Sequence, residues 1–426
     1  MTDTIFALSS GAPPAGIAIV RVSGPQAEAA TRSLAGMVPE PRRLVLRNLR
    51  DPGDGTLLDQ ALVTWFPGPV SATGEDLAEF HLHGGRAVVR AALDALGRLD
   101  GLRPAEPGEF TRRAFENGRI DLAQAEGLAD LLAAETEAQR RAALLSAGGR
   151  LSRLIDACQD ELLALAASVE ALLDYGDEDD VGQSLPDDWH RRLDSLRDNI
   201  ELHLAMPLTD RLRDGLRVVV AGPPNAGKSS LINALVGHDV AIVSPIPGTT
   251  RDVIEAPMNL SGIPVIFSDT AGLRTTSDPV EAIGVDRARH SLETADLILW
   301  LSDAPPPRAE QLLLVRTKCD LGIHEADARY LNVSGLTGEG CAELLRALYH
   351  RLKQMIPPAD AAPVNARQAS SLRNAATALC RCQQHHDPLI VAEELRVARG
   401  ELDRITGRAG VEEMLDAMFA RFCIGK

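Results

Sequence analysis

The chain has 426 residues, 45% of them hydrophobic, which is enough to bury about two or three separate cores and excludes a disordered polymer. Lys and Arg together number 44 against 60 for Asp and Glu, a net charge of −16, which excludes general attraction to phosphate backbones. A nucleic-acid partner would have to meet local clusters such as Arg42, Arg43, Arg47 and Arg50 or Arg112, Arg113 and Arg119, and clusters of this kind are more often solvated faces.

The N-terminus carries no basic stretch leading into an apolar run, and no apolar run approaches the roughly 18 residues that span a bilayer. The reading is a cytoplasmic protein without a membrane partner, whose six scattered cysteines are reduced. Residues 1–117 alternate β-rich runs, such as Ile17–Val22 and Ala61–Phe66, with a helical pattern from Arg86 to Leu99, which reads as an α+β domain. From Ile120 to Leu173 the sequence turns to Ala, Leu, Glu and Arg with apolar steps of three and four, among them Leu128, Leu131, Leu162 and Leu165, and predicts long packed helices. The acidic run Asp174 to Asp180 ends a helix in solvent.

Strand and helix signals alternate from Leu216 to about Leu352, and after the Pro-rich stretch at Pro357 helical patterning resumes from Ala366 to Ala398 and from Val411 to Phe422. Helical sequence therefore brackets an α/β unit. The fold class is multidomain α/β: an α+β N-terminal domain, an all-α helical domain, and an inserted phosphate-loop domain with a mostly parallel sheet. Cys380, Cys382, His385 and His386 suggest zinc only weakly, because no second pair completes a tetrahedral set.

Directly after the strand Val218–Val220 comes GPPNAGKSS, which fits G-x-x-x-x-G-K-[ST] with Gly222, Gly227, Lys228 and Ser229 and is followed by a helical run. Glycines let backbone N–H groups approach phosphate oxygens, Lys228 neutralises the β and γ phosphates, and Ser229 ligates magnesium. PGTTRD, with Thr249 and Thr250, and then VIFSDTAG, with Asp269 and Gly272, follow in the order a GTPase needs. Thr250 would reach the magnesium, Asp269 would hold it through water, and the Gly272 N–H would meet the γ phosphate. Each motif alone is more often a turn or a strand end, so the weight lies in their conjunction.

The base-reading segment is irregular. Where Asn-Lys-x-Asp is expected stands Thr317-Lys318-Cys319-Asp320. Asp320 keeps the carboxylate that accepts both guanine N–H groups, and Thr317 lacks an amide's paired donor and acceptor. Only Ser302 to Glu310 separates two strand patterns here, too short for an ordinary helical crossover. Leu273 follows DTAG where a Gln would position water, so another polar group and another positive charge must serve hydrolysis.

The stretches DTIFALSS, GIAIVRVSGP, TGEDLAEFHLHGG, PGEFTRRAF and IDLAQAE, the inserted GTPase motifs and the terminal FCIGK together resemble the MnmE (TrmE) family over essentially the whole chain. The resemblance implies domains at 1–117 (tetrahydrofolate-binding and dimerising), 118–212 and 357–426 (helical), and 213–356 (GTPase). It implies a nucleotide held by Asn225, Ala226, Gly227, Lys228, Ser229 and Ser230, and by Ser244, Pro245, Ile246, Pro247, Gly248, Thr249 and Thr250. Asp269, Thr270, Ala271, Gly272, Thr317, Lys318 and Asp320 complete that set. Potassium would sit on Asn225, Ser244, Ile246 and Thr249 and replace an arginine finger. Glu281 would orient the water, and Lys228, Thr250 and Gly272 would act in catalysis.

A 5-formyl or 5,10-methylene tetrahydrofolate would meet Arg21, Glu79, Arg119 and Lys426; from the residues alone these are ordinary surface pairs. FCIGK gives Cys423 a functional thiol. The resemblance further implies a homodimer that works on tRNA in a heterotetrameric or larger complex with the flavoprotein MnmG, which supplies FAD and NADH. Together they would place a carboxymethylaminomethyl or aminomethyl group on carbon 5 of the wobble uridine. Two other readings compete: a regulatory GTPase of ribosome assembly, and a scaffold with a decayed nucleotide site, the latter suggested by Thr317, Leu273, the shortened crossover and Ser334-Gly335 in place of the usual Ser-Ala.

Overall fold

The computed structural model describes residues 3–175, 184–238, 255–269, 291–302, 311–322, 327–409, 412–420, 422, 424 and 425. The chain forms two compact units, one of residues 1–129 with 403–426 and one of residues 130–402.

The first unit is built on a six-stranded sheet of β1 (Thr4–Leu8), β2 (Ile17–Ser23), β3 (Val45–Arg50), β4 (Leu57–Phe66), β5 (Leu77–His83) and β6 (Leu102–Pro104), in the order β3-β4-β5-β2-β1-β6. Alternation in β2 puts Ala18, Val20 and Val22 in the core with Phe80 and Leu82 of β5, as a half-buried strand requires. The other face carries Arg21 directly opposite Glu79. The end of the chain returns to this unit: Ile424 bridges to Pro107, and Gly425, at φ +95°, lies so close to strand β1 that a Cβ would sit 2.1 Å from the Leu8 carbonyl oxygen.

The second unit joins helices to a second sheet of β7 (Leu216–Ala221), β8 (Glu255–Leu260), β9 (Ile263–Asp269), β10 (Leu297–Trp300), β11 (Leu312–Arg316) and β12 (Leu331–Asn332), in the order β12-β11-β10-β7-β9-β8. All its pairings are parallel except β8 with β9. The strand cores at Val218 and Leu297 are buried, as their apolar runs demand. β10 and β11 are adjacent and parallel, joined only through residues 301–311.

The helix Arg150–Tyr175 buries Leu151, Ile155, Cys158, Leu162, Leu165 and Val169, a strict four-three alternation. Trp189, which opens helix Trp189–Leu204, donates its indole N–H to the Leu165 carbonyl at 3.0 Å. Burial pushes the Cys158 thiol up to about 11. Most of the acidic run from Asp174 lies outside the described residues. Among the described residues no helix is long and apolar enough to cross a membrane.

Candidate functional site

The C-terminal ends of β7, β9, β11 and β12 lie at one end of a parallel sheet, the end where ligands sit. β7 runs into the glycine loop, whose Gly222 is required by space: a Cβ there would fall 2.8 Å from the Leu301 carbonyl oxygen. Asn225 and Gly227 both take left-handed backbone, at φ 62° and 83°. The helix Lys228–His238 then begins.

Lys228 is 8% exposed, and its Nζ donates to the carbonyls of Gly222 and Pro223 at 3.0 and 3.1 Å. No carboxylate pairs with it among the described residues. A buried cation held only by dipoles, beside a helix N-terminus, is an anion site.

β7 and β9 are adjacent in parallel register, Val220 opposite Asp269. That places Asp269 Oδ2 at 2.5 Å from Ser229 Oγ, two hard oxygens of the type magnesium takes. Ser230 follows on the exposed side of the same helical turn.

After β11, Thr317 donates its hydroxyl to the Ala226 carbonyl, and Lys318, at φ 61°, extends its Nζ to the Asn225 carbonyl at 2.9 Å. Asp320 stands exposed on the single 3-10 turn Cys319–Leu321. The loop after β12 holds Ser334, fully buried, whose Oγ accepts from the N–H groups of Leu336 and Thr337 at 3.3 and 3.1 Å. Gly335 presses on the phosphate-loop helix: a Cβ would lie 2.8 Å from the Ser230 carbonyl carbon and 2.9 Å from the Leu231 nitrogen. Glycine instead of alanine thus has a steric reason here. Gly335→Ala should destabilise this unit by about 1–3 kcal/mol and lower its melting temperature, with GTP restoring less than it does for the parent. An unchanged melting curve would mean the helix yields freely.

Sequence reasoning brings Asn225, Ala226, Gly227, Lys228, Ser229, Ser230, Asp269, Thr317, Lys318 and Asp320 to one place, and the structure gathers them there. Ser244, Pro245, Ile246, Pro247, Gly248, Thr249, Thr250, Thr270, Ala271, Gly272 and Glu281 lie outside the described residues, as do Cys423 and Lys426. The loop-tying role of Thr317 and the close approach of Gly335 were missed, because only the third dimension shows which carbonyl a hydroxyl meets. A cavity of about 720 Å³ opens in the same unit beside the β8–β9 turn, where Gly262, Arg141, Leu145, Tyr349 and Lys353 line it. No phosphate-loop residue lines it.

In the first unit, Arg21 donates from Nε and Nη2 to Glu79 Oε1 at 3.1 and 2.8 Å. His81, two residues along β5 and therefore on the same face, lies 3.3 Å from Glu79 Oε2. The hydrogen bond with His81, then Arg21, outweigh burial and hold the Glu79 carboxyl down at about 2. His81 was legible from the two-residue spacing and was not singled out. The Arg21 guanidinium also sits 5.8 Å from the centre of the Phe110 ring. Arg119 is exposed, its stem against Gly74.

The basic clusters resolve differently. Arg113 is fully buried in ion pairs with Asp3, Glu75 and Glu109, so it is closed to any phosphate backbone, and Arg112 is paired with Glu116 and Asp416. Arg43 pairs with Glu40, and Arg42 lies over Phe66. Cys382 is buried, its thiol on the Val391 carbonyl and pushed up to about 12, chiefly by burial.

Comparison with known proteins covers the whole chain. Residues 4–119 match the family described as GTP-binding protein TrmE N-terminus, and residues 122–423 match the MnmE helical domain. The chain is 54% identical to the tRNA modification GTPase MnmE of Rhizorhabdus wittichii, over 100% of this chain and 97% of that one. It is 53% identical to the protein of that name from Erythrobacter litoralis, over 100% of both chains. With the Zymomonas mobilis protein of that name it shares 50% identity, over 99% of this chain and 100% of the other.

Proposed function

The chain belongs to the MnmE family of tRNA modification GTPases, and on that premise we propose that its GTP hydrolysis drives a conformational cycle in which carbon 5 of the wobble uridine receives a carboxymethylaminomethyl or aminomethyl group. The observation that carries the nucleotide half of this reading is Lys228: a cation 8% exposed, held by two carbonyls of its own loop.

In this reading Lys228 meets the β and γ phosphates and Asp320 accepts from the guanine N–H groups. Ser229 and Thr250 would hold magnesium, with Asp269 acting through water, and the ion would supply positive charge to the phosphates. Asn225, Ser244, Ile246 and Thr249 would hold potassium, which would supply the charge an arginine finger gives elsewhere. Glu281 positions the attacking water, a duty Leu273 has no polar group for, and the Gly272 N–H meets the γ phosphate.

The proposed domains are 1–117, 118–212 with 357–426, and an inserted GTPase domain at 213–356. A formyl or methylene tetrahydrofolate is placed with Arg21, Glu79, Arg119 and Lys426. Arg119 supports this, since its guanidinium makes no hydrogen bond or ion pair among the described residues and suits a ligand carboxylate. Cys423 is assigned to the modification chemistry. The protein acts in the cytoplasm as a homodimer, on tRNA, with the flavoprotein MnmG contributing FAD and NADH.

The test is GTP hydrolysis by the purified chain in matched potassium and sodium buffers, with ATP as control. Potassium should raise GTP turnover by at least about tenfold, and ATP should not be turned over. Equal rates in both cations would remove potassium from the mechanism; equal rates with both nucleotides would remove the guanine site.

A further inference from the structure

We infer that Thr317 is a positioning residue of the phosphate loop, and that Asp320 selects the base without it, so that the site reads the N1 and N2 hydrogens of guanine and is blind to N7. The inference rests on the GTPase reading and narrows what that site recognises.

A threonine has one hydroxyl proton. In this chain it goes to the Ala226 carbonyl, while Lys318 takes the preceding carbonyl, that of Asn225. Residues 317 and 318 therefore act as a pair of struts beneath two successive peptide units of the loop. The remainder of the Thr317 side chain packs on the same loop: a Cβ on Gly227 would lie 3.6 Å from its hydroxyl and 4.0 Å from its methyl.

With its single proton committed, Thr317 has nothing to donate to N7 or O6, the acceptors on that edge of guanine. An asparagine there would have two amide protons, one for the loop and one for the base. Asp320 is placed differently. It is exposed on the 3-10 turn, and its carboxylate makes no hydrogen bond or ion pair among the described residues. A carboxylate accepts from N1–H and N2–H of guanine and is repelled by the N1 lone pair of adenine, so guanine remains preferred over adenine with no help from position 317.

The experiment is competition against a fluorescent GDP analogue on the full chain, with GTP, 7-deaza-GTP and ATP as competitors. The parent should bind GTP and 7-deaza-GTP within about twofold and reject ATP. Thr317→Val should weaken GTP and 7-deaza-GTP by the same factor, about three- to tenfold, and Thr317→Ser should restore both. Thr317→Asn should gain a preference of about threefold or more for GTP over 7-deaza-GTP.

A parent that loses about fivefold or more on 7-deaza-GTP while still rejecting ATP overturns the inference, and so does a Thr317→Val chain with unchanged GTP affinity. The parent comparison needs no variant, so a folding defect at position 317 does not blunt it. Failure of the GTPase reading itself shows differently in the same titration, as equal binding of GTP and ATP.

Discussion

Lys228→Ala is expected to lower GTP turnover by at least about a hundredfold, because it removes a buried cation from the loop where phosphate charge develops. The ammonium has two duties. It holds the Gly222 and Pro223 carbonyls at 3.0 and 3.1 Å, so the loop curves around it. On binding, the same group turns its charge to the phosphates, and little reorganisation is left to be done. Lys228→Arg should not rescue, since a planar guanidinium does not fit a pocket that leaves Lys228 8% exposed. The measurements are steady-state hydrolysis and the rise in melting temperature on adding GTP. Both should vanish in Lys228→Ala while circular dichroism stays that of the parent. Undiminished hydrolysis would take the glycine loop out of the reaction.

What the sequence makes legible follows the range of the interactions that fix it. The strand, glycine loop and helix of residues 216–238 are set by neighbours a few positions apart, and they read correctly. The four-three stripe from Leu151 to Val169 is equally local. Asp269 was legible as a strand end; its meeting with Ser229 depends on β7 and β9 being neighbours, which the motif order implies without stating.

Residue 317 is the instructive failure. Its departure from the expected Asn could be seen only as a lost base contact, because nothing in a linear pattern says that the Ala226 carbonyl lies within reach. Gly335 hid for the same reason, its constraint being the backbone of Ser230, more than a hundred positions away. The arginines misled in the opposite direction: Arg112 and Arg113 are adjacent in sequence, yet one is part-exposed and the other fully buried.

Arg113 gives the second large effect. Replacing it by Met should destabilise the first unit by about 3–5 kcal/mol, because it takes a fully buried cation away from the buried Glu109 and from the part-exposed Asp3 and Glu75. Its Nη1 donates to the Asp3 carbonyl and to Glu75 Oε2 at 3.0 and 3.1 Å, and its Nη2 to Asp3 Oδ1 and Glu109 Oε1 at 3.0 Å each. Glu75 also accepts from Ser23 at 2.8 Å, and Arg103 shares Asp3 and Glu109. The stretches TGED, PGEFTRRAF and SGP, quoted above for resemblance, therefore converge on one network: Glu75, Glu109 with Arg113, and Ser23. Their chemistry is structural at these positions.

Without Arg113, Arg103 still meets Asp3 and Glu109, while Glu75 is left with the Ser23 hydroxyl. The pH dependence has a definite sign. Burial is the largest influence on Asp3 and on Glu109 and raises both, but the arginines outweigh it and leave both below their usual range. Depressed carboxyl groups stabilise the fold above their unfolded pKa, near about 4, and lose that contribution as pH falls. The deficit of Arg113→Met should thus be full at neutral pH and shrink below about pH 4. Hydrogen exchange of the β2 and β5 peptides in the full chain measures it, with the variant exchanging about a hundredfold faster or more at neutral pH. Exchange rates equal to the parent's would mean the carboxylates find water as readily as they find Arg113.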